Sequence, residues 1–205
     1  MFIKQMAQVL HLLSDQKIVH CDIKPDNILL NLDNHRPGRP FDLKVIDFGS
    51  AYTWDDLGNI GMATPEYMPP EFLHVLTSHK SNKSSIEVLM ETTKPWSSDV
   101  WSLGAILLEI ITGVPLWMSL KCRVDIGNKT VFRMGLFAVK SRGYDKIYLK
   151  QRSIMENFTE VLNEYSGIWR DHELLFDLLC QMLEWNPLKR ISPVEILTHP
   201  YLQGV

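Results

Sequence analysis

Phe2, Met6, Val9, Leu10 and Leu13 recur at helical spacing, so residues 2–13 are predicted to form an amphipathic helix at the start of the chain. Two short β-prone runs follow, Ile18-Val19 and Ile28-Leu29-Leu30, and they bracket a polar stretch. A third run, Leu43-Lys44-Val45-Ile46, is predicted to be a buried strand. Further on, Val100, Trp101, Leu103, Ile106, Leu107, Leu108, Ile110 and Ile111 leave hardly any polar face, which predicts a helix buried on most sides. Ser97 or Ser98 is its expected cap, and Gly113 followed by Pro115 its expected stop. Leu174, Leu175, Leu178, Leu179, Met182 and Leu183 mark another amphipathic helix, and residues 193–197 a last short one. The pattern weakens between residues 117 and 167. There, residues 134–139 and 144–149 are expected as helices, with Arg142-Gly143-Tyr144 as a turn between them.

The polar stretch at residues 18–30, IVHCDIKPDNILL, places an acid, a cation and an amide within six positions: Asp22, Lys24 and Asn27. Apolar runs pin it at both ends, which holds polar groups to the tolerance that chemistry needs. Taken singly, Asp22 also suits a turn, Asn27 a local cap, and Asp47 of Asp47-Phe48-Gly49 an ordinary loop acid. Three more blocks follow in order. They are Thr64-Pro65-Glu66-Tyr67-Met68-Pro69-Pro70-Glu71, then Ser98-Asp99-Val100-Trp101-Ser102-Leu103-Gly104, then Asn186-Pro187-Leu188-Lys189-Arg190-Ile191.

Together the five blocks resemble the eukaryotic protein kinases, whose H-R-D-x-K-x-x-N signature is matched by His20, Asp22, Lys24 and Asn27. Cys21 stands where that family has arginine, and Pro69 where it usually has alanine. The resemblance implies an α+β, mainly α fold: the large C-terminal lobe of a kinase over residues 1–205, with short strands flanking the catalytic loop. No Gly-rich phosphate loop, V-A-I-K-type lysine or acidic partner for such a lysine occurs in the 205 residues, so the ATP-covering N-lobe is expected to be missing and the chain truncated. The implied function is a protein serine/threonine kinase transferring the ATP γ-phosphate, with ATP and Mg²⁺ as cofactors. If these residues were the whole product, the alternative is a non-catalytic kinase-like binding or regulatory module.

Residue roles follow from the same resemblance. Asp22 would take the proton of the substrate hydroxyl, and Lys24 would place positive charge beside the transferring phosphoryl group. Asn27 and Asp47 offer the hard oxygens that Mg²⁺ prefers, and Leu29 would lie under the adenine. His20 and Phe48 are expected to pack, not to transfer protons. Asp99 should bond the catalytic-loop backbone, Thr64 should contact Asp22 and Lys24, and Arg190 should pair with Glu71. With Cys21 in place of arginine, an Arg–phosphate contact worth roughly 1.5–3 kcal/mol is lost, so loop phosphorylation is not expected to be required.

Composition bounds the rest. At 205 residues, 45% hydrophobic and 22% charged, the chain is expected to form one globular domain. A net charge of −3 gives no bulk attraction to nucleic acid or an anionic membrane. Three widely spaced cysteines, Cys21, Cys122 and Cys180, suit a reducing compartment, and no apolar run approaches the ~18 residues of a membrane span. An intracellular location, cytoplasmic or nuclear, is expected, with a protein substrate and the missing N-lobe or an equivalent as partners. Residues 74–95 are expected as a surface insertion, and His35-Arg36-Pro37-Gly38-Arg39-Pro40 as a turn-rich connector.

Overall fold

The computed structural model describes residues 1–31, 41–54, 63–77, 89–126, 129–136, 143–165 and 171–203. Helix α1, Phe2–Asp15, buries Ile3, Met6, Ala7 and Leu10, so its apolar stripe lies inward as its periodicity requires. It packs against the short helix α7, Pro193–Thr198, at the far end of the sequence. Ser192 accepts the Glu195 N–H at 3.3 Å while Glu195 Oε2 accepts the Ser192 N–H at 2.8 Å, a reciprocal cap that fixes the start of α7.

Two antiparallel strand pairs frame the polar stretch. Strand β1, Ile18–Val19, pairs with β4, Tyr52–Thr53. Strand β2, Ile28–Asn31, pairs with β3, Asp42–Val45, in the register Ile28↔Val45 and Leu30↔Leu43. Each pair therefore joins the region around Asp22 to the region around Asp47, and the strands flank the loop as expected. The run at residues 43–46 differs from the prediction in burial. Lys44 and Ile46 are exposed and Leu43 and Val45 half-buried, because a two-stranded sheet covers one face only.

The core is built on α3, Ser97–Thr112, which is buried continuously from Ser97 to Leu108. Its cap differs from expectation. Trp96 holds the N-cap position, and Ser97 lies in the first turn with its hydroxyl donating back to the Lys94 carbonyl at 2.8 Å. The stop is as expected: Gly113 adopts φ 76° and its N–H reaches the Glu109 carbonyl at 2.7 Å, a left-handed closure that glycine makes without strain. Burial ends sooner than predicted, with Ile110 63% exposed. Gly104 is where α3 meets α6, Glu173–Met182; a methyl there would approach the Leu183 side chain to 2.9 Å. On α6 the predicted stripe holds for Leu178, Leu179 and Met182, while Leu174 faces solvent. Trp101 is fully buried, stacked on Trp117 at 5.8 Å and met edge-on by Trp185 at 6.2 Å.

Helix α2, Pro70–Thr77, packs against α4, Tyr144–Glu156, and α4 leads into α5, Phe158–Tyr165. The expected helix at residues 144–149 is thus the start of α4, with Gly143 before it. The expected helix at 134–139 is not formed where it is described. Residues up to Leu136 belong to an antiparallel ribbon of β5, Ser119–Ile126, and β6, Lys129–Leu136. Its physical cause is the strict alternation of Leu120, Cys122, Val124 and Ile126 with Lys121, Arg123 and Asp125, a period of two that a helix cannot bury. A final short helix, α8, spans Pro200–Gln203. Within the expected insertion, residues 74–77 continue α2 and Leu89 is buried, whereas 78–88 lie outside the described residues, as does the 35–40 connector. Among the described residues no helix is long and apolar enough to cross a membrane.

Candidate functional site

Between β1 and β2 the chain turns sharply, and the first device that shapes the turn lies beneath it. Asp99, in the first turn of α3, accepts the His20 N–H on Oδ2 at 2.8 Å and the Cys21 N–H on Oδ1 at 2.9 Å. Complete burial pushes the Asp99 carboxyl up, to about 6, and the two N–H bonds act against that shift. Cys21 is held at φ 66°, a conformation costly for a residue with a side chain. Its thiol is buried and its pKa raised, first by burial and then by Asp99 and Asp22, so it is a neutral packing group.

Asp22 is 8% exposed and stands at the centre of four donors. Oδ1 accepts the Thr64 N–H at 2.9 Å and the Thr64 hydroxyl at 2.6 Å. Oδ2 meets Lys24 Nζ at 2.8 Å and Asn27 Nδ2 at 3.1 Å. Burial alone would raise this carboxyl, but the Lys24 and Thr64 bonds outweigh it and hold its pKa below the ordinary value. Lys24 also donates to Thr64 Oγ1 at 2.8 Å, so Asp22, Lys24 and Thr64 close a ring. Asn27 fixes the loop from inside by donating a second bond from Nδ2 to the Asp22 carbonyl at 2.8 Å. The amide oxygen is the end that remains for a cation.

Asp47 arrives from the other strand of the β2–β3 pair. Ile28↔Val45 ends that ladder and the Ile46 N–H bonds the Asn27 carbonyl at 2.9 Å, so Asn27 and Asp47 leave the sheet at the same end. Asp47 is exposed, at φ 62° and ψ 72°, with Oδ1 accepting the Gly49 N–H at 3.2 Å. The donor set, an amide oxygen and a solvent-facing carboxylate, fits a hard divalent cation such as Mg²⁺. Leu29 is 51% exposed on β2, alongside exposed Leu30, Ile46 and Phe48. The buried His20 ring lies 4.7 Å from that of the exposed Phe48, and its Nε2 is 3.0 Å from the Ile46 carbonyl.

Residues 1–202 match the model of the protein kinase domain. The chain belongs to the protein kinase family. It is 31% identical to mitogen-activated protein kinase mpkB of Aspergillus fumigatus, over 98% of this chain and 53% of that protein. To mitogen-activated protein kinase 14 of Arabidopsis thaliana it is 28% identical, over 100% and 50%. To dual specificity protein kinase CLK2 of Mus musculus it is 28% identical, over 96% and 41%. The chain therefore spans about half the length of the relatives it matches.

The kinase segment from Thr64 to Glu71 is fastened by contacts that local pattern could not foretell. Trp117 Nε1 donates to the Glu66 carbonyl at 2.5 Å, Gln151 Nε2 to the Met68 carbonyl at 2.9 Å, and Tyr67 Oη to Glu109 Oε2 at 2.6 Å. These partners lie 51, 83 and 42 residues apart in sequence, beyond the reach of any periodic signal. Arg190 closes the segment from below. Its Nη1 and Nη2 meet the two Glu71 oxygens at 2.7 and 3.1 Å, as predicted.

Proposed function

We propose that this kinase chain is the catalytic half of a protein serine/threonine kinase that phosphorylates protein substrates. The observation that supports it is the ring of Asp22, Lys24 and Thr64 with Asn27 behind it. A purely structural turn has no need to converge four donors on one carboxylate. When bound, Mg²⁺–ATP supplies the phosphoryl group and the divalent charge that polarises it. Asn27 and Asp47 would hold the metal, Leu29 would lie against the base, and Lys24 would bear on the phosphates. The exposed Leu29, Leu30, Ile46 and Phe48 form the surface on which an ATP-covering lobe would rest.

Asp22 orients the substrate hydroxyl and takes its proton on a carboxylate oxygen. With a pKa below the ordinary value it is a weak base, so its main contribution is aim. A carboxylate offers about four lone-pair sites, and all are used here. An incoming hydroxyl therefore displaces one donor. The Thr64 hydroxyl is the one that can rotate away, because Thr64 keeps its N–H on Oδ1 and still accepts from Lys24.

Asp22→Asn in the full-length protein tests the reading with Mg²⁺–ATP and Ser- or Thr-containing peptides. Phosphotransfer falling at least a hundredfold, with the fold intact, supports it. Equal activity of the variant and the parent, or none in either, points instead to a non-catalytic binding module.

A further inference from the structure

Helix α3 fastens both sides of the Asp22 carboxylate from neighbouring turns. Asp99, in its first turn, holds the His20 and Cys21 N–H groups, and Cys21 is the residue before Asp22. One turn on, Ser102 donates its hydroxyl to the Tyr67 carbonyl at 2.8 Å. Tyr67 donates its own N–H to the Thr64 carbonyl at 3.0 Å, and Thr64 bonds Asp22 Oδ1. The contacts close on themselves, from Asp22 through Thr64, Tyr67, Ser102, Asp99 and Cys21 back to Asp22. The base of this circuit is the stretch of buried helix between Asp99 and Ser102, about 4.5 Å along the axis and fixed by the helical rise.

Ser102 is 5% exposed and has a single side-chain proton to give. The Ser98 carbonyl also lies within reach of its hydroxyl, at 3.1 Å, but the helix already serves that oxygen through the Ser102 N–H. Among the described residues no other donor reaches the Tyr67 carbonyl. The link matters when substrate enters. As the Thr64 hydroxyl swings away from Asp22 to admit the incoming hydroxyl, the Thr64 N–H is the bond that remains on Oδ1, and its aim depends on where the Thr64 backbone stands. We propose that Ser102 is a positioning residue for phosphoryl transfer, acting through the Tyr67 carbonyl to hold Thr64 against Asp22. The role rests on the kinase reading above.

Ser102→Ala removes the hydroxyl and keeps the helix, since alanine is the strongest helix former. Native-state amide exchange in the full-length protein reads the consequence without catalysis. The Thr64 amide should lose about tenfold in protection, the effect of one hydrogen bond, while the Cys21 amide, held by Asp99, keeps its own. An equal loss at Thr64 and Cys21 would show a general weakening of the fold and overturns the proposal, as does an unaltered Thr64 amide. In peptide phosphorylation with Mg²⁺–ATP, kcat should fall about tenfold at unchanged KM, because the contact acts on aim and not on substrate binding. An unchanged kcat alongside a weakened Thr64 amide also overturns the positioning role. If neither parent nor variant transfers phosphate while the Thr64 amide still responds, the kinase reading falls and the link from Ser102 to Thr64 is upheld.

Discussion

Glu71→Gln isolates the contact that holds the segment from Thr64 to Glu71 to the core. The Arg190 side chain is fully buried and that of Glu71 is 11% exposed. Beyond the two oxygens of Glu71, the guanidinium donates Nη1 to the Ser97 carbonyl at 2.7 Å and Nε to the Glu184 carbonyl at 3.0 Å, and it lies 5.0 Å over the Trp101 ring. Glutamine keeps the shape and one acceptor oxygen but removes the charge, so the cation is left buried without its counter-ion. Breaking such a pair typically costs ~3–5 kcal/mol. Because two carbonyls and an aromatic face still serve Arg190, the expected loss is about 3 kcal/mol, at the lower end of that range.

Urea unfolding followed by tryptophan fluorescence reads this directly, since Trp101, Trp117 and Trp185 form one cluster beside the pair. The midpoint should fall with an unchanged m-value. Glu71→Leu combined with Arg190→Met should restore most of the loss, because removing both charges removes the desolvation cost with them. A loss below about 1 kcal/mol for Glu71→Gln, or a double variant as unstable as the sum of the singles, would refute the reasoning.

Leu107, 5% exposed in α3, should cost ~2–5 kcal/mol when replaced by alanine, measured in the same urea titration. Thr53→Ala with Thr64 retained should leave peptide phosphorylation unchanged, because Thr64 is already bonded to Asp22 and Lys24 without a phosphate; a collapse of activity would contradict this. Asp22 and Asp99 should act in opposite senses on stability. Asp22, held below its ordinary 3.8, contributes above that value and loses the contribution as pH falls through its folded pKa. Asp99, raised to about 6, contributes fully below 3.8 and loses it as pH rises through about 6, so Asp99→Asn should flatten the stability curve across that window. Thr64→Val should move the Asp22 carboxyl back up, read by carbon NMR of the side chain, because one of the two Thr64 bonds is gone.

The loop from His20 to Asn27 was legible because its information is local: an acid, a cation and an amide at fixed offsets between two apolar runs. The buried helix α3 was legible for the same reason, as its apolar residues fill every face from Val100 to Leu108. The ribbon was equally written in the sequence and was misread. Strand β5 alternates cleanly, and Gly127-Asn128, a dipeptide suited to a tight hairpin, separates it from β6. In β6, however, Val131, Phe132, Met134 and Leu136 crowd apolar residues together without strict alternation, so the stretch reads like the apolar run of a helix. Exposure of Ile110 and Leu174 was not legible, since which neighbours cover a turn is decided by packing and not by period. The fastening of Glu66, Met68 and Tyr67 was likewise out of reach, being carried by single hydrogen bonds across the fold.

The two halves of the site are held with unequal force, and the magnitudes show which is the stiffer. Cys21 and Asp47 both adopt positive φ, at a cost of order 1–3 kcal/mol each. The Cys21 turn is held by two buried backbone bonds to the Asp99 carboxylate, each worth roughly 1.5–3 kcal/mol, so the restraint exceeds the strain. The Asp47 turn is held at its side chain by one exposed bond at 3.2 Å, which at about 1 kcal/mol does not. The Asp22 end of the site is therefore anchored to the core helix, while Asp47, the proposed metal ligand, can adjust its position. Native-state amide exchange should separate them: the His20 and Cys21 amides should exchange only through opening of α3, close to the global unfolding free energy, and the Gly49 amide through a local opening of far lower cost. Equal protection at Cys21 and Gly49 would show that the loop is held by something other than Asp99.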